Sequence, residues 1–228
     1  MPDVFAPGCA LMLHQPALAR RMLAFLDRGE GRVAEHLTCC RHPPDLPAGT
    51  RIINVCAGCD RRYRELYPGI STVSLWEVLA GTARFPMEAL AGSADFPFPD
   101  YGGAAMTILD ACPTRTEARV HEAVRTLLAR MHITAVEPAA TRTRGTCCGD
   151  SFYGTLPADQ VKERMRRRAG EMPCLDVVVY CVSCAKAMHI GGRRPRYLVD
   201  LLFGEPTAPG LFEPEPWHRQ IEAFIAEH

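Results

Sequence analysis

Residues 146–150 read Thr146-Cys147-Cys148-Gly149-Asp150, and residues 181–184 read Cys181-Val182-Ser183-Cys184. Two adjacent cysteines can reach one metal centre only if the backbone turns sharply, and a glycine directly after them permits that turn. A C-x-x-C pair adds two thiols from a single turn of chain. Upstream, an apolar run that includes Ile108 and Leu109 leads to one more cysteine. The C-terminal half therefore holds one candidate ligand set of five cysteines: Cys112, Cys147, Cys148, Cys181 and Cys184.

The same order recurs in the N-terminal half, as a single cysteine, a vicinal pair and a C-x-x-C pair: Cys9, Cys39, Cys40, Cys56 and Cys59. Ten of the eleven cysteines thus fall into two similar sets, and Cys174 is left as an ordinary buried thiol. Fifteen residues separate Cys40 from Cys56, whereas thirty-two separate Cys148 from Cys181. The helix expected at residues 158–169 has no counterpart in the first half, so we expect the N-terminal site to be more open.

The composition indicates a soluble α/β protein. The chain has 228 residues, 47% of them hydrophobic, and no formal net charge, which gives no electrostatic support for nucleic acid as a partner. No apolar run approaches the ~20 residues needed to span a bilayer, and residues 1–4 lack the features of a signal peptide. We therefore expect a cytoplasmic protein. Thiols stay reduced there, so eleven cysteines indicate metal binding rather than disulfides, with redox dithiols at the two C-x-x-C pairs as the alternative.

The cysteines follow strand-like segments. Residues 3–6, 52–55, 106–109 and 176–180 are strand candidates, and each leads into a cysteine of one set. Helices are indicated by Pro16 and Pro216 as helix starts and by capping-box patterns at Ser74–Glu77 and Thr114–Glu117. Since sites in open α/β sheets lie beyond the carboxyl ends of strands, we expect each set to gather at one sheet edge.

These patterns predict an α/β fold of two similar small αβ units in tandem, related by a pseudo-two-fold axis, plus a C-terminal helix. We predict a first cysteine-rich repeat at residues 1–90, a linker rich in proline and glycine at 91–104, a second repeat at 105–206 and a tail helix at 207–228.

Five thiols exceed what one tetrahedral zinc ion accepts, and they suit an iron–sulfur cluster. Soft sulfur ligands also favour zinc or Cu(I), so a zinc site stays an alternative. The chain has neither the C-x2-C-x2-C-x3-C-P run of ferredoxin-type clusters nor a G-x-G-x-x-G turn for a flavin or nicotinamide. We therefore expect electrons to arrive from a partner subunit.

The tandem five-cysteine pattern resembles the cysteine-rich CCG-domain family, whose best-known member is heterodisulfide reductase B. The resemblance runs from Pro7-Gly8-Cys9 to about Gly204. It implies two [4Fe–4S] clusters, noncubane in that family, one on each of the two five-cysteine sets. It also implies an oxidoreductase subunit that splits a small disulfide between its clusters and receives electrons from a ferredoxin-like or flavin-bearing partner.

This chain departs from the family pattern in three places, two in the N-terminal set and one in the C-terminal set. Arg41 replaces the glycine after Cys39-Cys40, and Leu109-Asp110-Ala111-Cys112-Pro113 replaces the usual His-Asp-Pro-Cys-His. With the short Cys40–Cys56 spacing, this leaves open whether the N-terminal cluster is of the same type. Two other functions also stay open: a non-catalytic electron-transfer subunit of a larger dehydrogenase complex, and a zinc- or iron-bound redox scaffold.

Several charged residues lie close to the C-terminal set. Lys186 and His189 follow Cys184, where they either deliver protons to a departing thiol or hydrogen-bond behind the ligands. Arg142 and Arg144 precede Cys147 and either offset cluster charge, bind an anionic substrate, or belong to an ordinary polar loop.

Overall fold

Two four-stranded parallel sheets, each covered by helices, confirm the predicted α/β fold of two similar units plus a C-terminal helix. The computed structural model describes residues 3–28, 32–83, 96–208, 210 and 213–228. The chain divides into unit 1, comprising Met1–Pro97, Glu122–Leu127 and Ile221–His228, and unit 2, comprising Phe98–His121 and Leu128–Gln220. The pseudo-two-fold relation and the repeat boundaries stay predictions, and residues 91–95 of the predicted linker at 91–104 lie outside the described residues.

Unit 1 is built on the strands β1 (Asp3–Ala6), β2 (Val33–Glu35), β3 (Arg51–Asn54) and β4 (Ser71–Ser74), in the order β2-β1-β3-β4. Its helices are α1 (Gly8–His14), α2 (Pro16–Asp27), α3 (Ala57–Leu66) and α4 (Leu75–Ala80). Helix α2 begins at Pro16 as predicted and buries Leu18, Met22 and Leu26. The glycine expected to end it, Gly29, lies outside the described residues.

Unit 2 repeats this topology. Its strands are β5 (Ala105–Leu109), β6 (Thr134–Val136), β7 (Asp176–Val179) and β8 (Arg194–Tyr197), in the order β6-β5-β7-β8. The second half of the chain holds the helices α5 (Ala118–Arg130), α6 (Ala158–Gly170), α7 (Val182–Ile190), α8 (Leu198–Leu202) and α9 (Pro214–Glu227), which is the predicted tail helix. The middle of α5 and the end of α9, from Ile221 onward, are grouped with unit 1. Within the described residues, no helix combines the length and the apolar character that a membrane crossing requires.

Two helix starts differ from their predictions: α9 begins at Pro214, two residues before the predicted Pro216, and α5 differs by more. Helix α5 begins at Ala118, four residues beyond the threonine that the capping-box pattern marked as its N-cap. Residues Cys112–Thr114 instead form a 3-10 turn, and the Thr114 hydroxyl donates to the Ala111 carbonyl. A hydroxyl that bonds back to the carbonyl three residues earlier replaces the expected cap.

Candidate metal centres

The central pair of strands in each sheet delivers two cysteines to the same place. In unit 1 the chain leaves β1 for a strand on one side and β3 for a strand on the other, which makes their carboxyl ends a topological switch point. Cys9 lies three residues beyond β1, and Cys56 lies two residues beyond β3. In unit 2, Cys112 and Cys181 occupy the same offsets beyond β5 and β7. The duplicated sheet therefore brings both cysteine pairs to equivalent positions.

A helix N-terminus adds the second cysteine of each C-x-x-C pair. Cys56 is the N-cap of α3 and Cys181 is the N-cap of α7, so Cys59 and Cys184 lie buried in the first turn of those helices. The Cys59 thiol and the N–H groups of Cys59 and Gly58 donate hydrogen bonds to the Cys56 sulfur. These bonds lower the pKa of Cys56 to about 7, although burial opposes the shift. Free N–H groups at a helix start favour an anionic sulfur in this way.

The vicinal cysteines complete two sets with one internal order. In unit 1 each thiol shifts the pKa of its neighbour in the sequence Cys9–Cys39–Cys40–Cys59–Cys56. In unit 2 the same sequence is Cys112–Cys147–Cys148–Cys184–Cys181. We call these the unit-1 thiol set and the unit-2 thiol set. All ten predicted cysteines thus come together as two groups of five, and every cysteine of the chain is a free thiol.

Each set holds its lowest thiol pKa at the same position. Hydrogen bonds from Cys40 and Cys9 lower the pKa of Cys39, and those from Cys112 and Cys148 lower the pKa of Cys147. The backbone N–H two residues further on donates to the same sulfur, from Arg41 in unit 1 and from Gly149 in unit 2. The first vicinal cysteine is therefore the preferred anion of each set.

The turn after the vicinal pair differs between the units because of a single helix. Gly149 has φ +110°, and a Cβ there would lie 3.0 Å from both the backbone N and the Cγ of Met165 in α6. Between β2 and β3, where every residue is described, unit 1 has no helix, and Arg41 has no positive φ. Unit 1 thus has no helix that corresponds to α6. This one difference accounts both for the missing glycine after Cys40 and for the short Cys40–Cys56 spacing.

The end of α9 packs against the vicinal turn in unit 1. The Cys39 N–H donates to the His228 carbonyl at 3.1 Å, and a His42 ring nitrogen lies 2.9 Å from the Ile225 carbonyl oxygen. All five thiols of unit 1 line a cavity of about 410 Å³, which also includes arginine and aliphatic side chains. In unit 2, a cavity of about 260 Å³ beside α6 includes one cysteine, Cys147.

A buried ion pair lies behind the unit-2 thiol set. Lys186 is fully buried and pairs with Asp150, which also lies 3.1 Å from a ring nitrogen of His218. Burial lowers the pKa of Lys186, and the charges of Asp150, Cys148 and Cys181 oppose that change. Burial raises the pKa of Asp150, but the bond with His218 and the charge of Lys186 outweigh it, so the net pKa is lowered.

The sequence did not predict this arrangement. Of the two residues considered for proton delivery, Lys186 is in the ion pair and His189 is exposed. Asp150 directly follows the vicinal pair and glycine, but nothing in the sequence links it to the tail helix, where Tyr153 stacks on His218 with ring centroids 3.9 Å apart.

A buried carboxylate fixes the loops that carry Cys112 and Cys147. Asp110 accepts the Arg142 backbone N–H at 2.8 Å, the Thr141 hydroxyl at 3.1 Å and the Tyr180 hydroxyl at 3.0 Å. The Arg142 guanidinium lies 4.0 Å from Glu137, and Arg144 is exposed. The loop before Cys147 is therefore held by the Arg142 backbone and the Thr141 hydroxyl, not by the guanidinium groups of Arg142 and Arg144.

Within the described residues, no group of three or more His, Cys, Asp or Glu side chains is arranged to hold a single metal ion. The thiols instead form two groups of five whose members shift one another's pKa. No known family model matches this chain, and a search of curated proteins finds no significant relative.

Proposed function

We propose that this protein is an iron–sulfur oxidoreductase subunit of the heterodisulfide reductase B type, with one cluster on each thiol set. The observation that carries the proposal is the repetition of one thiol order at equivalent points of two sheets. A single structural zinc takes four ligands, whereas each unit offers five neighbouring thiols. We favour [4Fe–4S] clusters, noncubane as in the family that the sequence resembles.

The surrounding residues suit an anionic sulfur-rich centre. The N-termini of α3 and α7 direct N–H groups at the sets, and Lys186 adds a buried positive charge near Cys148 and Cys181. When bound, each cluster would supply one-electron chemistry at soft iron with an affinity for thiolate sulfur. The substrate class we propose is a small disulfide or thiol.

We place the protein in the cytoplasm, where thiols stay reduced. Its electron donor is a ferredoxin-like or flavin-bearing subunit, because the sequence has no motif for a second kind of redox cofactor. Nucleic acid is not among the proposed partners, since the chain has no net charge.

Metal and sulfide analysis of the anaerobically purified protein tests the proposal. We expect about eight irons and a similar amount of acid-labile sulfide per chain, as two four-iron clusters require. Stoichiometric zinc without sulfide would contradict it and support a redox scaffold. A spectroscopic change on adding a disulfide or thiol separates an oxidoreductase from a subunit that only relays electrons.

Replacing one buried ligand provides a matched comparison. We expect Cys148→Ser to lose about half of the iron and to lower stability, because metal binding contributes folding free energy. Cys174→Ser is the control, since Cys174 belongs to neither set. Full iron content in Cys148→Ser would remove Cys148 from the ligands.

A further inference from the structure

The cavity that contains the unit-1 thiol set is rimmed by arginines. Arg41, Arg61 and Arg62 line its wall, with Glu65 as the one acidic residue. Arg61 lies 4.0 Å from Glu65, and both side chains are more than half exposed, so this pair is weak. Arg41 and Arg62 have no carboxylate partner within the described part of the chain. The cavity therefore presents two guanidinium groups that are free to bind an anion.

Three further residues that line this cavity are aliphatic. Leu66, at the end of α3, is 53% exposed and is one of the large hydrophobic side chains that the described residues leave in solvent. Ile221 and Ile225, from the end of α9, are half-buried and line the same cavity. A volume of about 410 Å³ lies within the range of small-molecule sites. Apolar, cationic and thiol groups thus line the same small cavity.

We propose that this cavity is the substrate site and that it selects a small thiol or disulfide with an anionic group, a carboxylate or phosphate, on a short apolar body. This inference rests on the proposed function for the redox role of the thiols, but the anion selectivity does not depend on it. Guanidinium groups bind carboxylate and phosphate oxygens through paired, charge-assisted hydrogen bonds. The apolar body lies on Leu66, Ile221 and Ile225, which leaves its sulfur beside the thiols.

The comparison between the units assigns this role to unit 1. Helix α6 packs on the turn of the unit-2 set, with Met165 in contact with Gly149. The cavity beside that set is smaller, about 260 Å³, and includes Cys147 as its single cysteine. Two of its three arginines are already engaged, since Arg164 lies over the Phe152 ring and Arg168 contacts both Glu171 and the Ala140 carbonyl, which leaves the exposed Arg167. Of these two cavities, the one in unit 1 combines all five thiols of a set with two arginines, Arg41 and Arg62, that have no carboxylate partner among the described residues.

Two disulfides of similar length and opposite charge test the proposal. Dithiodipropionate carries two carboxylates and cystamine carries two ammonium groups, and calorimetric titration of the oxidised holoprotein, without an electron donor, gives both affinities. We expect dithiodipropionate to bind more tightly. Arg41→Gln and Arg62→Gln should each weaken its binding about tenfold and leave cystamine binding unchanged. Leu66→Ser should weaken binding about threefold at a position whose exposure spares the fold.

Arg164→Gln in unit 2 is the matched control, and we expect it to keep full affinity. Equal affinity for the two disulfides would overturn the proposal, as would a loss of binding in Arg164→Gln but not in Arg62→Gln. Arginine variants that lose iron and affinity together would show that the guanidinium groups serve only to balance thiolate charge, which also overturns it. Iron is counted in every sample: an iron-free protein that keeps the Arg62-dependent preference supports the anion site while refuting the proposed function.

Discussion

At the scale of single residues, Gly149 marks a difference between the turns that follow the vicinal cysteines in the two thiol sets. An alanine there would keep an unfavourable φ of +110° and place its Cβ 3.0 Å from Met165. The left-handed backbone costs about 1–2 kcal/mol and overpacking about 1–3 kcal/mol, so we expect Gly149→Ala to lower the free energy of unfolding by about 2–5 kcal/mol in urea titrations. Arg41→Ala, at the equivalent place in unit 1, should change it by less than about 0.5 kcal/mol. Equal effects would refute the role assigned to α6.

The buried pair of Lys186 and Asp150 makes a second prediction at this scale. Lys186→Met leaves a carboxylate buried without its counterion, so we expect a loss of about 3–5 kcal/mol in the free energy of unfolding. Lys162→Met removes a lysine from a pair with the exposed Glu213 and should cost at most about 1 kcal/mol. Adding Asp150→Asn to Lys186→Met should recover part of the loss, and strict additivity of the two changes would argue against the pair.

At the scale of elements, the sequence predicted those strands whose burial in the sheet leaves an apolar run of residues. β3 and β7 are central, buried on both faces, and therefore read as apolar runs that end near a cysteine. The edge strands β2, β4 and β8 were not predicted. β2 has one buried residue, and β8 holds a proline and two arginines, so neither shows an apolar pattern. The ligand sets could be predicted because the spacing of cysteines can be read without any apolar pattern. The contact between Asp150 and His218 could not, because these residues meet only through tertiary folding.

The sequence predicts a capping box at the start of helix α4, and the structure confirms it. Ser74 accepts the Trp76 N–H at 3.3 Å and Glu77 accepts the Ser74 N–H at 3.4 Å, so the predicted capping box is present. We expect Ser74→Ala to lower the free energy of unfolding by about 1 kcal/mol, as loss of an N-cap typically does. Ser71→Ala at the start of the same strand, β4, serves as the control for the substitution itself. An effect at Ser74 no larger than at Ser71 would mean that the cap contributes little to this buried helix.

At the scale of the whole molecule, each thiol set is closed within its own unit. The five thiols that shift one another's pKa all belong to unit 1 in one case and to unit 2 in the other. We therefore expect the two sets to take up iron independently. Cys59→Ser and Cys184→Ser remove the buried first-turn ligand of α3 and of α7, and each variant should keep about four irons per chain, with about none in the double variant.

Iron analysis combined with the disulfide titrations distinguishes the units in this experiment. If unit 1 is the substrate site, Cys59→Ser changes the spectroscopic response to dithiodipropionate, because this thiol lines the cavity, whereas Cys184→Ser leaves the response in place. Loss of all iron in either single variant would show that one set depends on the other for assembly. Retention of the response in Cys59→Ser and its loss in Cys184→Ser would place the substrate in unit 2. The unit-2 thiol set is intact in Cys59→Ser and altered in Cys184→Ser, so the response would then come from that set.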